Sequence, residues 1–154
     1  MNTTLKPPIM ALDVGTVRIG IALSDPFHLI AQAQGVLTRK TLVEDLREIE
    51  KLVRSRGVET VIVGLPLTLR SGRSDSTRMA EEFYQAMKTA LPDLNIELWD
   101  ERLSTAQAEA TLLESGMSRK KRKQNIDQVA ATLILQNYLD RKQRLSRSPS
   151  GREA

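Results

Sequence analysis

The sequence predicts one α/β domain: a mixed five-stranded sheet with helices on both faces. Three observations lead there. Two apolar runs, IMALD and RIGIALSD, stand a few residues apart around Gly15, the spacing of a β-hairpin. Two later strand-like runs are separated by helix-period segments, as parallel crossovers require. Finally, 154 residues with 40% hydrophobic and 27% charged content can fill one core and hardly two.

Residues 8–13 and 18–25 read as the first two strands, joined by Val14-Gly15-Thr16-Val17. AQAQGVLT, 31–38, is a weaker third, completing an antiparallel meander. From Thr41 to Arg56, Leu42, Leu46, Ile49, Leu52 and Val53 recur at helical spacing. Thr41 with Glu44 forms a capping box, and Gly57 closes the helix. TVIVGL, 60–65, is a β-branched run of the kind buried on both faces of a sheet. PLTLRSGRSDS reads as a loop, and a helix follows at 76–90 with Met79, Phe83, Met87 and Ala90 on one face and Pro92 as its stop. NIELW, 95–99, is a short strand running into Asp100-Glu101. Ser104 and Gln107 cap a helix to Ser115 that Gly116 ends, and a last helix covers 124–142. The domain is therefore expected over 1–142, with 143–154 a basic, disordered tail.

The absence of Cys excludes a disulfide framework and thiol chemistry and suits a reducing compartment. No apolar run approaches a membrane span, and MNTTLKPP lacks an apolar signal core, so a cytoplasmic protein without membrane partners is expected. The net charge of +4 is uneven: residues 118–154 hold ten Lys/Arg against three acids, leaving −3 for residues 1–117. The basic surplus is densest in RKKRK, residues 119–123. Such a run is either a solvated segment or a contact to a phosphate backbone.

Three acids are aimed inward. Asp13 ends the first strand and Glu101 follows the last, so both emerge at the carboxyl edge of the parallel strands, where ligands of open α/β sheets bind. Asp127 shares a helical stripe with Ala130, Ala131, Ile134 and Tyr138. Like charges gathered in a partly dehydrated site repel, and a hard cation such as Mg²⁺ or Mn²⁺ relieves that repulsion through oxygen ligands. Taken singly, each acid has a plainer role. Asp13 could accept turn amides, Asp127 could cap its helix, and Asp100 or Glu101 could pair with Arg102. Trp99 is either core or a stacking surface for a base. Ser104 is read as a cap, and His28 stands in a loop with no ligand set around it.

Four stretches in order, ALDVGTVRIGIALSDP, VGLPLTLRSG, DERLSTAQAEATL and SRKKRKQNIDQVAATLILQNYLD, span about residues 8–142. With that spacing the chain resembles the YqgF family, also called RuvX, of pre-ribosomal-RNA nucleases. These are relatives of the RuvC-type Holliday junction resolvases within the ribonuclease H-like fold. The resemblance implies a three-layer fold with strand order 3-2-1-4-5 and strand 2 antiparallel. It implies a divalent-metal nuclease using one or two Mg²⁺ or Mn²⁺ ions in 5′-end maturation of the small-subunit ribosomal RNA. Its acidic residues fall on Asp13, Glu101 and Asp127, as catalytic groups and metal ligands. Arg18 matches the arginine of the first motif, either against substrate or in an ion pair with a site carboxylate. Arg70, Arg73, Lys120, Lys121, Arg122 and Lys123 would suit a nucleic-acid backbone. Thr68 and Arg70 depart from the family pattern, where Asn and Asp or Asn are common. The expected partners are precursor ribosomal RNA, branched DNA in the alternative resolvase role, and a ribosomal particle, with the chain a monomer or weak homodimer. Two other readings are an RNA-binding module without turnover and an ATP-handling protein. The second needs another lobe and a second phosphate loop that 154 residues do not supply.

Overall fold

A computed structural model of the chain describes residues 5–65, 75–100 and 126–147, with side chains in the last segment from Val129 to Leu145. The first apolar run forms β1 (Ile9–Val14), and the second returns beside it as β2 (Arg18–Ser24). The turn is closed by Gly15 N–H donating to Arg18 O at 2.9 Å. A Cβ on Gly15 would lie 2.9 Å from that same oxygen, so glycine is needed for the close approach. Asp25 then organises the next bend. Its Oδ2 accepts from Phe27 N–H at 3.0 Å, and its Oδ1 accepts from Leu29 and Ile30 N–H at 2.6 and 2.7 Å. Burial pushes this carboxyl up, but the three amides together outweigh it and hold the pKa below the ordinary value.

β3 (Ala31–Thr38) pairs antiparallel with β2, with a register shift between Ile21 and Ala22. α1 (Leu42–Arg56) opens on the expected capping box: Thr41 Oγ1 accepts from Glu44 N–H, and Glu44 Oε1 accepts from Thr41 N–H. It ends at Gly57 in the left-handed region, φ 68°. β4 (Thr60–Leu65), α2 (Asp75–Ala90) and β5 (Asn95–Asp100) follow. The strand order is β3-β2-β1-β4-β5, with β1–β2 and β2–β3 antiparallel and β1–β4 and β4–β5 parallel. That is the mixed sheet expected, in the order the resemblance implies.

α3 (Ile126–Arg147) runs past residue 142, the expected end. Residues 143–147, read from sequence as tail, continue the helix. Arg141, Lys142 and Arg144 favour the negative end of a helix, and no breaker intervenes before Pro149. The buried face is also wider than the expected stripe. Ala131 and Ile134 are buried and Ala130 and Tyr138 half-buried, but Thr132, Leu135, Gln136, Asn137 and Leu139 are buried too. A helix covered on more than one side cannot announce its orientation by period. Among the described residues no helix is long and apolar enough to cross a membrane.

The two faces of the sheet differ in grain. On one, Met10, Leu12, Val14, Ile19, Ile21, Leu23, Val61 and Val63 meet Ile49 and Val53 of α1 and Phe83 and Met87 of α2. Each such large side chain contributes about 1.5–3 kcal/mol on burial. On the other, Ala11, Ala22 and Ala31 with Ile9 and Ile62 meet Ala131, Ile134, Leu135 and Leu139 of α3. Small side chains on both partners let α3 lie close to the strands. The helix is pinned there by Gln136, whose Oε1 accepts from Ala31 N–H at 2.9 Å and whose Nε2 donates to Leu29 O at 3.0 Å.

Candidate active site

Alternation along β1 settles which way Asp13 faces. Met10, Leu12 and Val14 point to the α1–α2 side, so Asp13 shares the α3 side with Ile9 and Ala11. It is the one residue of β1 that is half-buried rather than buried. Its register partner on β2 is Gly20, on the same face. On the other flank the β1–β4 register is paired as far as Leu12–Val63, and its next step sets Gly64 beside Asp13. The Asp13 carboxylate thus stands between two backbone positions that carry no side chain of their own. Both glycines are buried.

α3 leads to the same edge. Gln136 bonds at the row of Ala31, the end of the sheet where β1 begins. Beyond Asp140 the helix overhangs, with Arg141, Lys142, Arg144 and Leu145 exposed. Its preceding residues therefore run back across the sheet toward the Asp13 end. Nine residues separate Asp127 from Gln136, about 14 Å of helix. Four separate Asp13 from Ile9, about 13 Å of strand. Asp127 thus lies in the first turn of α3, at the end of the helix away from Arg141–Leu145.

β5 supplies the third approach. Glu97 and Trp99 alternate with Ile96 and Leu98, which pack on the α1–α2 side, and Trp99 pairs in register with Gly64. Trp99 meets Tyr138 of α3 edge-on, ring centres 5.3 Å apart, and packs against the α3-side core. Of the two roles considered for this indole, the packing one is observed. Tyr138 Oη donates to Glu97 Oε2 at 3.5 Å, and burial, reinforced by the Glu97 charge, raises the phenol above its ordinary pKa.

The ten site residues read from sequence divide unevenly. Asp13 and Arg18 lie on one face at one edge, and both are engaged in interactions rather than free. Asp127 lies in the first turn of α3, ahead of the side chains described there. Glu101, Arg70, Arg73, Lys120, Lys121, Arg122 and Lys123 lie outside the described residues, as do Ser104 and its helix. Among the described residues no group of three or more His, Asp or Glu forms a metal-holding cluster. Sequence reasoning missed Gly20 and Gly64, whose signal was a glycine interrupting each of two β-branched runs.

A mixed five-stranded sheet in the order 3-2-1-4-5, with helices against both faces, is the ribonuclease H-like α/β fold. RuvC of T. thermophilus, solved with a Holliday junction substrate, superposes with a TM-score of 0.59 at 12% identity, over 88% of this chain and 95% of that one. At the sequence level, the profile described as "RuvX: Holliday junction resolvase" matches residues 8–141. A protein of Syntrophomonas wolfei named "Putative pre-16S rRNA nuclease" is 45% identical over 132 residues, 86% of this chain and 93% of that protein. A relative of the same name from Halothermothrix orenii is 44% identical over 137 residues, 89% of this chain and 97% of its own. The chain belongs to the RuvX family, a family of nucleases by the names its members carry.

Proposed function

We propose that this protein is a divalent-metal-dependent nuclease that hydrolyses phosphodiester bonds during 5′-end maturation of pre-16S ribosomal RNA in the cytoplasm. The observation that carries the reading is the placement of Asp13. It is a half-buried carboxylate near the end of β1, with a glycine opposite it on β2. Carboxylate oxygens are hard donors, and Asp13 is only half-buried, so its chemistry fits Mg²⁺ or Mn²⁺. Glu101, two residues beyond Trp99, and Asp127 would complete the ligand set. The chemistry supplied by one or two such ions is activation of the attacking water and neutralisation of charge at the leaving oxygen. The chain's own task is positional. β1, the central strand, holds Asp13 in register with Gly20 of β2. Arg18, on the Asp13 face, and Arg70, Arg73 and Lys120–Lys123 would neutralise the RNA backbone, which makes binding salt-sensitive.

The test is cleavage of a 5′-extended small-subunit ribosomal RNA precursor with Mg²⁺ or Mn²⁺. Asp13→Asn should abolish cleavage and leave the fold and RNA affinity intact. Metal-dependent cleavage retained in that variant would refute the site. The description of the family profile as a Holliday junction resolvase supports a second reading, hydrolysis at four-way DNA. Paired symmetric nicks in a synthetic junction, with no cleavage of the RNA, would favour it.

A further inference from the structure

We infer that Arg39 is a positioning residue for Asp13, acting through the β1–β2 turn from the opposite face of the sheet. This rests on the proposal that Asp13 holds a divalent cation. Arg39 follows β3 directly and grips the turn at both ends. Its backbone N–H donates to Val17 O at 2.8 Å, and its Nη1 donates to Gly15 O at 3.1 Å. The guanidinium is fixed in turn from two helices. Its Nε donates to Asp45 Oδ2 of α1 at 3.0 Å, and its centre lies 5.5 Å from the Phe83 ring of α2.

Asp45 is 1% exposed, and its other oxygen accepts from Lys40 N–H at 2.9 Å. A buried ion pair is seldom a net source of stability compared with apolar side chains of the same size, so its use here calls for another reason. The contacts supply one. The planar fork of arginine ties α1 and α2 to the carbonyl of Gly15, two residues from Asp13. Gly15 also donates to Arg18 O, so a single side chain sets the turn that carries both Asp13 and Arg18. Strand pairing fixes Asp13 along the sheet; the turn beyond it is short enough that its own anchoring decides the last fraction of an ångström. Lysine would replace the two-pronged fork by a point charge.

The experiment compares the full-length parent, Arg39→Lys and Asp13→Asn by direct Mn²⁺ titration, using the electron paramagnetic resonance signal of the free ion. Amide hydrogen exchange of the Gly15 turn is measured beside it. Lysine keeps a cation beside Asp45, so the fold should survive. Exchange at Gly15 should quicken, and Mn²⁺ affinity should fall by about 10-fold or more, the usual effect of losing an outer-shell contact. Parent-like exchange, or parent-like Mn²⁺ affinity while Asp13→Asn has lost it, overturns the inference. Mn²⁺ binding by Asp13→Asn equal to the parent overturns the metal-site reading itself, and the positioning role with it. Should the lysine variant not fold, Asp45→Asn, which removes the anchor of the fork and keeps its shape, carries the same test.

Discussion

Ala22→Leu is the sharpest test of how this site is assembled. Ala22 is fully buried on β2, opposite Ala11 on one side and Ala33 on the other, and faces α3. The larger side chain has nowhere to go but against the helix, whose near face is Ala131 and Leu135. Overpacking of this kind costs about 1–3 kcal/mol. In a domain of this size each kcal/mol lowers Tm by about 2–4 °C, so the expected fall is about 2–12 °C. The second effect is geometric: a helix lifted from the strands carries its first turn, and Asp127, away from the sheet that holds Asp13. Leu135→Ala is the matched control. It empties the same interface at about 2–5 kcal/mol and pushes nothing apart. Circular dichroism melts and cleavage of the RNA precursor well below both melting points should therefore rank the two variants differently. Leu135→Ala should be the less stable and Ala22→Leu the less active. A Tm for Ala22→Leu within about 1 °C of the parent, or cleavage that simply follows stability in both, would refute the close-packed interface.

Gly15→Ala should lose about 1–3 kcal/mol in urea unfolding, because its Cβ meets the Arg18 carbonyl at 2.9 Å and only backbone can yield; a loss under about 0.5 kcal/mol would contradict that crowding. Thr41→Ala removes half of the capping box and should cost about 1 kcal/mol by the same measurement, with cleavage unchanged. Asp25 is held below its ordinary pKa in the folded state, so its contribution is complete above about pH 4 and disappears as pH falls through the folded value. In Asp25→Asn, urea unfolding between about pH 2 and 6 should therefore show the gap to the parent narrowing toward acid, and a gap that widens there would reverse the assignment.

What could be read from the sequence follows from what each residue must do locally. The hairpin, the capping box at Thr41 and the run TVIVGL all state their structure within a few positions, and each forms where expected. Asp13 stood out because a charge ended an apolar strand, a conflict visible in the chain alone. The C-terminal helix was harder. Buried on several sides from Ala131 to Asn137, it lacks a clean period, and its basic end resembled a tail although nothing there breaks a helix. Long-range relations were invisible. Arg39 and Asp45 look like ordinary exposed charges of a helix start, and only the approach of Phe83 and Gly15 makes them an internal clamp. Gly20 and Gly64 acquire meaning only once the register sets both beside Asp13.

β1 is the middle strand of the five, bonded along both sides. Peripheral segments of a protein fray and reclose many times without the rest noticing, but a central strand opens only when the whole domain does. A carboxylate mounted there keeps its posture through all the smaller fluctuations that warming brings. Loss of function with heat should then be abrupt, arriving with global melting rather than ahead of it.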